Sequence, residues 1–170
     1  MATDPANAAG EYGAIGYCDV PVSVLDKMTE KVNELAPDTL FWTGDVVPHD
    51  QWNYSQEYVE RYQTFLFEYM KSNLNSWATF PLEGNHDFGE VINSQNFDVT
   101  DPILPFLAEY WSDYLDEAAL KDFSKNGFYT TKFRTTGGTV YENVNVIAIN
   151  TEACYNANYY LISNREDPGD

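Results

Sequence analysis

Two short loops carry the residues of this chain best suited to chemistry: Gly44-Asp45-Val46-Val47-Pro48-His49-Asp50 and Gly84-Asn85-His86-Asp87. Each follows an apolar run, and together they hold both histidines of the 170-residue sequence. A carboxylate set behind a glycine at a strand-to-loop junction can lend its two oxygens to two divalent cations about 3.5 to 4 Å apart. Asp45 suits that bridging role. The carbonyl oxygen of Asn85 is a neutral, hard donor that would ligate one cation while leaving it a strong Lewis acid. His86 then lies beside the cations without having to ligate them, placed to stabilise or protonate a leaving oxygen. Asp87 is expected to orient that imidazole or raise its pKa. His49 follows Asp45 closely enough to reach the same edge as a second acid or phosphate donor. A lone Gly-Asp or a lone histidine says little. Gly-Asn-His-Asp after a β-like run, with a Gly-Asp loop one strand earlier, points to metal-assisted phosphoester hydrolysis.

The elements around these loops read as an α/β chain. Leu25, Met28, Val32 and Leu35 recur at helical spacing after Pro21, and Pro37 closes that helix before a β-rich run over 39–43. Tyr58, Tyr62, Phe65, Leu66, Tyr69 and Met70 mark a long amphipathic helix, and 77–82 reads as the next strand. A strand, crossover helix and strand make a parallel pair, connected right-handed. Asp45 and Asn85 are therefore expected just beyond the carboxyl ends of neighbouring strands, the edge where open α/β sheets bind ligands. Downstream, Ile103, Leu107, Tyr110 and Tyr114 form one helical stripe with Leu104, Trp111 and Leu115 beside it, which reads as core packing. A short helix is expected over 116–124, its acidic start suiting the helix dipole. After Asn126-Gly127 come two β-patterned runs, 128–133 and 140–150, joined by a turn rich in Thr and Gly. Val144, Val146, Ile147 and Ile149 make the second run apolar enough for a central strand.

Composition limits the partners. Hydrophobic residues at 44% and aromatics at 16% indicate a folded chain, and the length fits a single domain without repeats. Nine Lys and Arg against 27 Asp and Glu give a net charge of −18, which repels nucleic acid and anionic lipid. That acidity reads as a solvated face, or more specifically as adaptation to an acidic compartment. No apolar run is long enough to span a membrane. Residues 1–10 read as a flexible lead without a signal-peptide pattern, and the end at Asp-Pro-Gly-Asp is unlike a natural domain terminus. Cys18 and Cys154 form no zinc-finger or Cys-x-x-Cys pattern; pairing with each other, free thiols and partners outside the segment all stay open. Asn53-Tyr54-Ser55 is an N-glycosylation sequon. The aromatic residues are compatible with cation–π binding of a choline headgroup, though most of these rings read as core.

The sequence resembles the calcineurin-like metallophosphoesterases and, within them, the acid sphingomyelinase group. The resemblance runs through Gly10-Glu11-Tyr12, Cys18-Asp19-Val20-Pro21, Phe41-Trp42-Thr43-Gly44-Asp45 with Pro48-His49-Asp50, and Gly84-Asn85-His86-Asp87. It continues in Gly127-Phe128-Tyr129, the Asn150 to Cys154 stretch and Tyr159-Tyr160-Leu161-Ile162-Ser163-Asn164 before Asp167-Pro168-Gly169. It implies a layered αββα sandwich with βαβ units, of which residues 11–170 would be a part truncated at both ends. It implies a two-zinc phosphodiesterase in which Asp45 bridges the metals, Asn85 ligates the second, and His86 and His49 face the phosphate while a metal-bound hydroxide attacks in line. The group's substrate is typically sphingomyelin at a membrane surface, cleaved to ceramide and phosphocholine by secreted or lysosomal glycoproteins. Cys18 and Cys154 would then pair with cysteines outside this segment.

The departures from the group are equally specific. No Asp-x-His, no late histidine and no Gly-His-x-His occurs, and the helical saposin domain is absent. A catalytic zinc normally takes about three protein ligands, so both metal shells would be incomplete and the isolated chain inactive or nearly so, with missing segments supplying the remaining ligands. Two alternatives remain from the sequence: a shortened relative that binds without turnover, and an enzyme for polyphosphate or nucleotide phosphodiesters. The acidic balance disfavours a polyanion.

Overall fold

In the computed structural model, residues 10–14, 19–75, 78–89, 94–97 and 101–162 are described. Helix α1 (Val22–Leu35) starts directly after Pro21 and ends where Ala36 turns left-handed at φ 47°, its N–H still bonded to the Val32 carbonyl. Pro37, lacking an N–H, prevents another turn. Strand β1 (Leu40–Trp42) follows, and Ser55 then caps α2 (Gln56–Asn73) by accepting the Tyr58 N–H at 3.1 Å. Strand β2 (Thr79–Pro81) returns parallel to β1, with Phe41 opposite Phe80. Bonds from Leu40 N to the Ala78 carbonyl and from Leu82 N to the Trp42 carbonyl, both 2.8 Å, extend the ladder at its two ends. The strand, helix and strand thus form the expected parallel unit, and both loops leave it from one edge.

The rest of the chain braces that unit. Val59, Gln63, Leu66, Phe67 and Met70 are the buried face of α2. Helix α3 (Ile103–Trp111) buries Ile103, Leu104, Leu107 and Trp111, and α4 (Glu117–Asn126) buries Ala119 and Phe123. Asp116 caps α4 by accepting the Ala119 N–H at 2.9 Å, and Gly127 closes it at φ 74°. Trp111 and Phe123 meet with ring centroids 4.2 Å apart in a core that also holds Val59, Phe67, Phe88 and Tyr129. Strands β3 (Tyr129–Arg134) and β4 (Val140–Ala148) form an antiparallel hairpin with a register shift between Lys132 and Phe133. The buried Tyr129 hydroxyl donates to the Pro81 carbonyl at 2.7 Å, and Thr39 Oγ1 donates to the Arg134 carbonyl at 2.6 Å, tying the hairpin to the parallel pair.

One expectation needs correction. β4 is not a central strand: among the described residues it pairs only with β3, and Ile147 and Ile149 are 67% and 64% exposed. Apolar, β-branched content shows that a strand suits cover on both sides; it does not supply the neighbours, and no third described strand reaches β4. The mixed α/β arrangement, two helix-flanked two-stranded sheets, agrees with part of a metallophosphoesterase domain. No described helix is long and apolar enough to cross a membrane. Residues 1–9 of the expected lead over 1–10, Cys18, Trp77 and the stretch after Ile162 that carried part of the resemblance lie outside the described residues.

Candidate active site

At the carboxyl edge of β1 and β2 the two loops press together. Gly44 (φ 80°) and Asp45 (φ 62°) are successive left-handed residues, a sharp turn that Asp tolerates better than most side chains. A Cβ on Gly44 would stand 1.8 Å from the Gly84 nitrogen, and one on Gly84 would stand 2.2 Å from Asp45 Oδ1. Only two glycines permit this approach. Carboxylates then bind the loops reciprocally. Asp87 Oδ2 accepts the N–H groups of Gly84 and Asp45, each at 2.8 Å, and Oδ1 accepts that of Val46 at 2.9 Å. Asp45 Oδ1 accepts the His86 N–H at 3.1 Å in return.

Asp87 therefore has a different task from the one its position beside His86 suggested. Its oxygens are committed to three backbone N–H groups, and burial pushes its carboxyl up to about 6 against their opposing pull. The His86 ring turns to Tyr54 instead, with Nδ1 at 3.3 Å from the phenol oxygen. Burial lowers the His86 pKa, where Asp87 was expected to raise it; Asp45 opposes the shift and His49 adds to it.

His49 lies close to His86, with ring centroids 4.7 Å apart and planes at 63°. Asp19 holds it twice: the His49 N–H donates to Oδ2 at 3.0 Å, and Nδ1 lies 2.5 Å from Oδ1. The Tyr54 hydroxyl donates to the Pro48 carbonyl at 3.2 Å. Burial, followed by the charges of Asp87, Asp50 and Asp45, raises the Tyr54 pKa well above its usual value, so the phenol stays protonated.

Asp45 and Asn85 share a cleft of about 460 Å³ with Thr43, Asn150 and Glu152. Glu152 is 6% exposed, its Oε2 has no hydrogen-bond partner, and burial raises its carboxyl to about 7. The buried carboxyl oxygens of Glu83 also lack partners, and burial holds that group well above the ordinary carboxylate range. Asn158 fixes this wall by donating to the backbone carbonyls of Gln95 and Glu152, while Asn150 Nδ2 donates to Gln95 Oε1. On the other side, Asp45 and His49 border an apolar groove of about 420 Å³ walled by Val20, Leu25, Trp42, Phe65 and Leu66.

The structure thus brings Asp45, Asn85, His86 and His49 to one sheet edge and assigns Asp87 to the scaffold beneath them. Asp45 and Asn85 are oxygen donors of the kind a divalent cation takes. They do not make a centre by themselves: among the described residues no group of three or more His, Cys, Asp or Glu is arranged to hold a metal, and both imidazoles are engaged at Nδ1. Asp19, Tyr54 and Glu152 were not singled out by sequence reasoning. Asp19 and Glu152 lay in stretches noted only for their resemblance, and Tyr54 only inside the glycosylation sequon.

The chain belongs to the calcineurin-like phosphoesterase family, whose pattern matches residues 18–167, and the mixed α/β fold agrees with part of such a domain. Members of that family use divalent metals. Among individual relatives, human sphingomyelin phosphodiesterase is 25% identical over 94% of this chain, and sphingomyelin phosphodiesterase 1 of Caenorhabditis elegans is 27% identical over 98%. The human cyclic GMP-AMP phosphodiesterase SMPDL3A is 29% identical over 96%. The chain covers 25%, 29% and 35% of these three proteins, respectively.

Proposed function

We propose that the chain is part of a metal-dependent phosphodiesterase that acts on sphingomyelin, and that alone it turns over little or no substrate. The observation that carries this reading is the pairing of His49 and His86, rings 4.7 Å apart, beside Asp45 and Asn85 at the end of a parallel strand pair. Asp45 and Asn85 contribute oxygen donors to a divalent-metal site completed by segments beyond these 170 residues. His49 and His86 take the phosphate side, binding its oxygens and passing a proton to the leaving alcohol. The apolar groove beside His49 supports a lipid, since hydrocarbon gains from leaving water there. Zinc as the metal, an extracellular or lysosomal setting, a glycan on the exposed Asn53 and disulfides to cysteines elsewhere complete the proposal. The 29% identity to a cyclic GMP-AMP phosphodiesterase favours a second reading, a nucleotide phosphodiester as substrate.

The test assays the 170-residue chain, and the natural polypeptide carrying this segment, against sphingomyelin micelles, a cyclic dinucleotide and bis(4-nitrophenyl) phosphate, with divalent metals added. The longer protein should release phosphocholine, and His86→Ala should lower its turnover by about 10²-fold or more. Preference for the cyclic dinucleotide would replace the lipid reading with the nucleotide one. Turnover by the 170-residue chain that vanishes in His86→Ala would refute its proposed inactivity.

A further inference from the structure

We propose that Asp19 and Tyr54 are positioning residues that lock His49 and His86 in one and the same tautomer, with the proton on Nδ1, leaving both Nε2 atoms for phosphoester oxygens. The inference rests on the phosphate-side reading of the two histidines and adds the device that prepares them.

Hydrogen-bond accounting carries it. Tyr54 has one hydroxyl hydrogen, and the Pro48 carbonyl at 3.2 Å can only accept it. The Tyr54 oxygen then meets His86 Nδ1 at 3.3 Å as an acceptor, so that nitrogen carries a hydrogen. The reverse assignment would send the hydroxyl to Nδ1 and take the donor away from Pro48. The raised pKa of Tyr54 is consistent with the neutral phenol this requires. At His49 the partner is a carboxylate, which accepts only when ionised. Asp19 places one oxygen on the backbone N–H and the other 2.5 Å from Nδ1, so this ring also carries its hydrogen on Nδ1, toward Asp19. Neutral histidine on its own favours the proton on Nε2. Two different partners, one phenol and one carboxylate, therefore hold both rings in the less common form, and the rings sit 4.7 Å apart. In that form each Nε2 is an acceptor when neutral and, once protonated, can donate to a phosphoryl oxygen or pass its proton to the leaving oxygen.

The chain has only two histidines, so imidazole nitrogen NMR on the ¹⁵N-labelled protein reads both tautomers without crowding. At a pH where both rings are neutral, both Nε2 resonances should lie in the pyridine-like range and both Nδ1 resonances in the pyrrole-like range. Tyr54→Phe should move His86 toward Nε2–H and leave His49 unchanged; Asp19→Ala should do the reverse, and Asp19→Glu should restore His49. A pyrrole-like Nε2 on either ring of the wild type overturns the proposal, as does a tautomer indifferent to its partner's removal in a variant whose amide spectrum shows it folded. If a variant does not fold, the wild-type resonances decide alone. Added inorganic phosphate separates the two levels: shifts at both Nε2 atoms support the phosphate-side reading, while unmoved Nε2 signals with the Nδ1–H pattern intact overturn that reading and leave the tautomer lock standing.

Discussion

At the scale of single residues, Asp87 shows how chain neighbours can serve different ends. Sequence adjacency to His86 suggested a carboxylate that steers the imidazole, yet in a tight turn consecutive side chains leave in different directions. Asp87 points under the loops to three N–H groups. Hydrogen bonds to an ionised acceptor contribute roughly 1.5 to 3 kcal/mol each. An amide keeps one acceptor oxygen and turns a donor toward the remaining N–H groups, so Asp87→Asn should destabilise the fold by about 2 to 4 kcal/mol in urea unfolding at pH 7. A loss below about 0.5 kcal/mol, the range of an ordinary surface substitution, would show that these contacts do not hold the loops. Residue type and local motif coincide at Asp45, Asn85, His86 and His49, which is why the sequence draws attention to them. No such coincidence marks Asp19 and Tyr54: their contacts with the imidazoles span 30 and 32 positions, a distance that no spacing rule crosses.

At the scale of elements, punctuation made most of the fold legible. Pro37 and Asn126-Gly127 divide the chain where the helices and strands divide it, whereas the Ser55 cap of α2 emerged only in the structure. β1, β2 and β4 are shorter than their β-like runs and β3 is shifted by one residue, since pairing partners set strand ends and composition does not. β4 failed as a central strand for the related reason that an apolar pattern cannot count its neighbours. Asp116 joins two elements at once: one oxygen caps α4 through the Ala119 N–H and the other accepts Thr131 Oγ1 of β3 at 2.6 Å. Loss of a cap of this kind costs about 1 to 2 kcal/mol. Asp116→Ala should show at least that loss in chemical denaturation, and Thr131→Val a smaller one because the cap survives. Equal effects from the two substitutions would mean that the bond between elements, and not the cap, matters.

At the scale of the whole molecule, buried carboxyls and a net charge of −18 act in the same direction. A carboxyl whose folded pKa exceeds its unfolded value makes the folded state hold its proton more tightly, so stability is present below the unfolded pKa and declines as pH rises through the folded one. For Glu152 that window runs from 4.5 to about 7. A shift of that size corresponds to about 3 kcal/mol. Mutual repulsion of the surface carboxylates grows over the same range. The Tm should therefore fall from pH 5 to pH 8, and Glu152→Gln should flatten the fall by raising the Tm at the alkaline end. A Tm that climbs with pH, or a Gln variant with the wild-type slope, would exclude Glu152 as a source. The outer edge of β4 takes on a second meaning here. Among the described residues no strand pairs with that edge, and its N–H and C=O groups, flanked by exposed Val144, Ile147 and Ile149, are a template onto which another extended chain can add, the geometry from which cross-β fibrils grow. Like charges keep two such edges apart at neutral pH, but the charge vanishes near pH 4.1, so the acidity that steadies the folded chain also removes its guard against fibrillation.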